Sequence, residues 1–196
     1  REEVQKEETA ELINKMFGGS DELFFSSFLK NKGLSDEKAD ELLKLIEDGE
    51  NIRVEFKKST TEITKDVYDT VCSFSNRDGG IILLGVKDNG EILGVAPDAV
   101  DRMKKDFVTS INNGQKINPP LYLQPEACTV DGRTLLVIQV PSGSQVCRHH
   151  GRIFDRSHEA DIDITDNSDM VYQLYARKSG SYFVNKVTRF QMDDLR

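Results

Sequence analysis

The chain has 196 residues, 37% hydrophobic and 31% charged, with a formal charge of −8. That is the balance of a globular fold long enough to bury a real core, and no apolar run approaches a membrane span, which excludes a helical integral membrane protein. Residues 1–50 hold 14 acidic against 7 basic side chains and the remainder 20 against 19, so any phosphate-binding surface has to be a local patch. Three widely spaced cysteines, Cys72, Cys128 and Cys147, argue against a disulfide framework and for a reducing cytoplasm. Arg1 opens an acidic, polar stretch rather than a secretory signal, and the missing initiator Met suggests a fragment.

In chain order, residues 2–17 pattern as a helix with Val4, Leu12, Ile13, Met16 and Phe17 on one side, stopped by Gly18-Gly19. Ser20 caps a second helix with an unusually wide apolar face of Leu23, Phe24, Phe25, Phe28 and Leu29. Ser35 caps a third, lined by Leu42, Leu43, Leu45 and Ile46. Ile52 to Phe56 then alternates with period two, Ile52, Val54 and Phe56 toward core and Arg53, Glu55 and Lys57 on a charged face. Ile63, Val67, Thr70, Val71 and Phe74 recur at helical spacing, and Asn76 to Gly80 ends that helix. Ile81 to Val86 is short, continuous and β-branched, a strand buried on both faces. Asp88-Asn89-Gly90 offers a hairpin turn into a strand over Glu91 to Val95.

Pro97 to Asn113 reads as a helix with Val100, Met103, Phe107, Val108 and Ile111 inward. Asn118-Pro119-Pro120 is a rigid turn; Leu121 to Cys128, Asp131-Gly132 and Thr134 to Val140 make a strand, turn, strand unit whose second strand lies centrally. Pro141 to Ser144 opens a loop, Gly151 to Phe154 returns as a strand, Met170 to Tyr175 is helical, and a further helix begins near the end. The expected fold class is α+β, a mixed β-sheet with flanking helices preceded by a short all-helical segment.

Glu50, Glu55-Phe56-Lys57 and Ser59, then Phe74, Asn76 and Gly79-Gly80, then Gly85-Val86, Asp88, Gly90, Ile92 and Gly94 follow one another in order. This set resembles the AlbA-like DNA-binding domain of the Schlafen superfamily, with its pattern E-x4-E-F-K-x-S, F-x-N-x-x-G-G and I-G-V-x-D-x-G-x-I-x-G. The resemblance covers residues 49–190, leaving 1–48 as a helical segment and 191–196 as the start of a truncated downstream element. The stretch from Phe17 to Asp48 is similar to the dimerisation helices of the penicillinase-repressor family, which implies a homodimer held through Leu23, Phe24 and Phe28. The alternative is that these helices pack on their own domain.

The Schlafen resemblance implies a nucleic-acid-binding domain, DNA rather than RNA, in a cytoplasmic bacterial-type transcriptional regulator that grips the sugar-phosphate backbone. Lys57, Lys58, Arg77 and Lys87 stand on or beside the matched elements, and Arg148, Arg152 and Arg156 extend the track; Gly79-Gly80 would let backbone approach a phosphate. The competing reading of those cations is a solvated charged rim. In ribonuclease relatives the matched acids form a metal-binding cluster, which implies a metal-dependent endoribonuclease using Glu50, Glu55 and Asp88 to hold Mg or Mn, with Lys57 steadying developing charge. Against it, Asp88 suits its turn, Glu50 reads equally as the solvated end of a helix, Glu55 as a partner of Lys57 or Lys87 across strands, and Glu50 and Glu55 differ in parity, so that only a bend near Asn51 would bring them together. Phe154-Asp155-Arg156 occupies the place of the family's Y-x-R with Phe for Tyr. Cys147, His149 and His158 are a zinc alternative whose spacing fits no closed site. The last alternative is a protein-interaction module, favoured by the near-neutral charge.

Overall fold

The computed structural model describes residues 35–158 and 160–187, with side chains from 38 to 179. Leu23, Phe24 and Phe28, expected from the sequence to dimerise, and the tail 191–196 lie outside the described residues. The elements are α1 (Ser35–Asp48), β1 (Val54–Lys57), α2 (Lys65–Asn76), β2 (Gly80–Leu84), α3 (Val100–Ile111), β3 (Ile117–Asn118), β4 (Glu126–Val130), β5 (Arg133–Val140), β6 (Arg148–His149), β7 (Phe154–Ser157), β8 (Ala160–Asp163) and α4 (Ser168–Val187). The main sheet runs β1-β2-β5-β4, with β1 parallel to β2 and the other pairs antiparallel. The fold is the expected α+β type with a mixed sheet flanked by helices. Two short pairs, β3 with β6 and β7 with β8, stand apart from it.

The period-two alternation of buried strands splits the core between the two faces of the sheet. Ile82, Leu84, Leu136, Ile138 and Val140 point to one side, where α2 and α3 bring Val67, Phe74, Met103 and Phe107. Leu83, Leu135, Val137, Val54 and Phe56 point to the other, where α1 supplies Leu42 and Ile46. The third expected helix thus packs its apolar stripe on the sheet, so the boundary drawn at residue 48 divides the sequence but not the packing. A third cluster, Val146, Ile153, Ile164 and Leu174, seats α4 beside β6 and β7.

Several elements differ from the sequence reading. Ile52, placed inward, is 42% exposed, because Asn51 bridges back to Val54 and the strand proper begins only there. The strand over Glu91 to Val95 shrinks to the single bridge Val86–Ile92, since Gly85 and Gly94 meet at positive φ: a Cβ on Gly85 would lie 2.9 Å from the Gly94 carbonyl carbon. Leu121 to Gln124 is not strand; Pro119, Pro120 and Pro125 remove donors that a ladder needs, and pairing starts at Glu126. A hairpin, β7 and β8, replaces the strand placed at Gly151 to Phe154. The helix placed at Met170 to Tyr175 runs on to Val187. Gly79-Gly80 serves packing rather than phosphate: the Gly79 amide donates to Phe74 O at 2.9 Å, and a Cβ on Gly80 would sit 2.6 Å from the Phe74 ring and 2.7 Å from Arg53 O.

Candidate nucleic-acid interface

The parity conflict between Glu50 and Glu55 is resolved by a tight turn. Asn51 Oδ1 accepts the Arg53 amide at 2.8 Å, the chain folds back, and Glu50 Oε1 accepts the Phe56 amide at 2.7 Å. Burial raises the Glu50 carboxyl above its ordinary value and the charges of Glu55 and Asp88 add to the rise, while the Phe56 amide and Lys57 oppose it. The three acids therefore share one neighbourhood.

They do not make a cation site as placed. Glu55 Oε1 accepts Lys57 Nζ at 2.7 Å and Oε2 accepts Arg156 Nη2 at 2.6 Å, so two positive groups already occupy the direction a divalent ion would take. Among the described residues no group of three or more His, Cys, Asp or Glu is arranged to hold a metal. With Glu55 committed to Lys57 and Arg156, the three carboxylates as placed do not fit Mg or Mn. The zinc alternative is likewise dispersed: Cys147 Sγ lies 2.8 Å from Cys72 Sγ, His149 Nδ1 lies 2.6 Å from Asp69 Oδ1, and His158 sits exposed in the β7–β8 turn.

Arg156 is the centre of a buried ion network. Its exposure is 0%, and besides Glu55 it donates to Asp161 Oδ1 at 3.0 Å and to Asn51 O at 3.0 Å, with its guanidinium 4.9 Å over the Phe74 ring. Asp161 also accepts the Thr70 hydroxyl at 2.5 Å and the Ser73 hydroxyl, which ties β8 to α2. The face of β1 expected to be charged and open is thus charged and closed, Glu55 being 6% exposed. Arg77 belongs to the same system, paired with Asp155 at 3.0 Å and donating to Arg156 O at 3.1 Å; Asp155 also takes Arg177 at 2.9 Å. Lys57 bridges Glu55 and Asp66, the latter at 3.1 Å; burial works to lower its ammonium, but those two acids outweigh it and hold it above its ordinary value.

Of the seven cations taken as a phosphate track, Lys57, Arg77 and Arg156 are therefore engaged internally. Lys87 is paired with Glu91 at 2.8 Å and Arg152 with Asp163, both toward solvent. Lys58 is exposed on the segment after β1. Arg148 lines a cleft.

That cleft, of about 610 Å³, lies between β6, the 144–146 segment, Asn118-Pro119 and α4. Its lining includes Arg148, Lys178, Tyr175, Gln145 and Asn118, and among the described residues none that lines it is acidic. Arg148 Nη2 donates to the Tyr175 hydroxyl at 3.0 Å. Lys178 Nζ donates to Ser75 O at 2.8 Å and Gly143 O at 2.7 Å, which anchors the ammonium at the cleft wall. Burial pushes Lys178 below its ordinary value and neighbouring Arg177 adds to the fall, against Asp78 and Asp155. Tyr175, Lys178 and Gln145 were not among the sequence candidates. The signal available for them was the pair Tyr172 and Tyr175 followed by Arg177-Lys178, aromatic and basic residues interleaved on one helix.

A mixed sheet between helical layers with a positively lined cleft at its margin defines an α+β domain suited to an anionic ligand. Residues 50–165 match the family model described as Schlafen, AlbA_2, and the chain belongs to that family, whose domain points to a nucleic-acid-related function. Among the solved structures similar to it is the DIP2311 protein from Corynebacterium diphtheriae, at 19% identity and a TM-score of 0.44, covering 56% of this chain and 24% of that one. The chain thus spans under a quarter of that protein. The N-terminal domain of a protein from Nitrosomonas europaea described as related to the ATP-dependent DNA helicase RecG aligns at 28% identity and a TM-score of 0.39, covering 55% of this chain and 72% of that one. Comparison with curated proteins finds no match. Among the described residues no helix is long and apolar enough to cross a membrane.

Proposed function

We propose that the protein binds nucleic acid through its sugar-phosphate backbone, with the Arg148–Lys178 cleft as the principal contact and Lys58 as an outlying cation. The observation that carries this reading is the cleft's charge: two cations from separate elements and, among the described residues, no carboxylate in the lining, in a chain that is acidic as a whole. Phosphates supply both the attraction and the salt dependence of such a contact, and family membership in an AlbA_2 domain supports the ligand class. The finer reading is a DNA-binding domain of a bacterial-type transcriptional regulator, working as a homodimer through Leu23, Phe24 and Phe28.

Fluorescence anisotropy with labelled oligonucleotides between about 50 and 200 mM salt tests the contact. Binding should weaken steeply with salt, and Arg148→Gln should lower the affinity and reduce the log–log salt slope by about 0.7 to 0.9. Salt-independent binding, or an Arg148→Gln protein that binds as the parent does, would overturn it. Light scattering at tens of micromolar checks the dimer separately, a monomer there removing the self-association part.

A further inference from the structure

We infer that the cleft is a site for unpaired nucleic acid, in which an unstacked base lies on the Tyr175 ring while Arg148 meets the neighbouring phosphate. The inference rests on the nucleic-acid reading above and narrows its target to single strands.

The ring is presented rather than packed away. Tyr175 is 43% exposed in the cleft wall, and its hydroxyl is fixed by the hydrogen bond from Arg148. A tyrosine held at its polar end and open along its ring offers a flat apolar surface of defined orientation. One helical turn earlier stands Tyr172, 74% exposed. Residues three apart on a helix are neighbours with Cβ atoms about 5–6 Å apart, so α4 carries two adjacent open rings beside two cations.

A duplex has no use for such rings, because its base faces are covered by their neighbours in the stack. A single strand has base faces to offer, and sequence-tolerant binders of single strands combine a cationic groove with aromatic platforms. The amides of Asn118 and Gln145 in the lining add donor and acceptor groups, and the acceptor oxygens serve a base edge but not a phosphate. Single-stranded DNA and RNA share this chemistry, and the assay below separates them.

The test is a set of anisotropy titrations of the full chain with labelled oligo(dT), oligo(U) and a mixed-sequence duplex of equal length, at low salt. Tyr175→Ala should weaken single-strand binding at least about fivefold and leave the duplex unchanged. Tyr175→Phe should keep most of the single-strand affinity, because the ring remains. Tyr172→Ala, at a more open position, should give a smaller loss in the same direction, and both alanines suit a helix, so thermal melts should match the parent. The ratio of oligo(dT) to oligo(U) affinity identifies the sugar preferred. Tyr175→Ala binding both single strands as the parent does, while Arg148→Gln weakens them, would leave the phosphate reading standing and sink the base site; an equal loss on the duplex would sink it too. Failure of the parent protein to bind any of the three would remove the broader reading and this one with it.

Discussion

Arg148 and Arg156 lie on neighbouring short strands of one chain, yet the fold puts them in opposite situations. Arg156 is sealed from solvent between Glu55, at 2.6 Å, and Asp161, at 3.0 Å. Arg148 is half-buried and, among the described residues, has neutral acceptors only, the Tyr175 hydroxyl at 3.0 Å and Gly151 O at 3.4 Å. The side chains are identical, so the difference is the supply of acid. Around Arg156 the fold gathers Glu55, Asp66, Asp155 and Asp161 together with Lys57, Arg77 and Arg177; along the cleft no carboxylate lines the wall among the described residues. A cation is available to a phosphate only where the fold has withheld a carboxylate from it.

The sharpest way to break this contrast is Arg156→Met, which keeps the apolar stem but leaves Glu55 and Asp161 in the interior without their shared partner. Removing one side of a buried ion network is expected to cost about 3–5 kcal/mol, read as a fall in the urea midpoint. If stability held and nucleic-acid binding fell instead, Arg156 would belong with Arg148 after all. Next comes Gly80→Ala. The new methyl would meet the edge of the Phe74 ring at 2.6 Å, the ring over which Arg156 lies, and Arg53 O at 2.7 Å. Overpacking of this kind costs about 1–3 kcal/mol, and the same urea titration would show it.

The sheet was readable because burial imposes a period. Ile81 to Val86 and Leu135 to Ile138 have no polar interruption and lie at the centre of the sheet, and the stripe from Val67 to Phe74 packs as spacing requires. The site was less readable because charge has no period. Glu55 and Lys57 alternate as a solvated face would, and nothing local says that Arg156, a hundred residues on, closes over them. The turn that carries Glu50 back to the Phe56 amide was named as a condition from parity alone. The cleft depends on α4 reaching past Tyr175 to Lys178, and a helix with apolar residues on several sides gives little periodic signal to mark its length. Even the cysteines follow this rule: Cys72 and Cys147, far apart in sequence, are buried sulfur to sulfur.

Arg77 sharpens the comparison from the binding side. It stands close to the motif glycines and is partly exposed, but its Nε is held by Asp155 and by Arg156 O. Arg77→Gln should therefore leave the affinity and the salt slope of oligonucleotide binding unchanged, where Arg148→Gln lowers both. Its effect should be on stability, about 1 kcal/mol given its partial exposure. A salt slope reduced as far by Arg77→Gln as by Arg148→Gln would erase the distinction between the two regions.

The smallest expected effect lies at the outer edge of the ion network, at Asp66. Burial works to raise its carboxyl, but the Thr64 hydrogen bond and the Lys57 ammonium at 3.1 Å outweigh it and hold the group below its ordinary 3.8. A carboxyl lowered on folding lends stability that is present above the unfolded value and is lost as pH falls through the folded one, because the unfolded chain takes up the proton first. Asp66→Asn should then be less stable than the parent at neutral pH by a few tenths to about 1 kcal/mol, screening limiting a pair whose carboxylate side chain is 54% exposed. The gap should narrow as pH drops below 3.8 and close once both states are protonated, in paired thermal melts across that range. Lys57 would still hold Glu55 at 2.7 Å, so the loss should stop at the rim and leave the interior network intact. A gap that persisted or widened in acid would mean that Asp66 acts through its place in the first turn of α2 rather than through its charge.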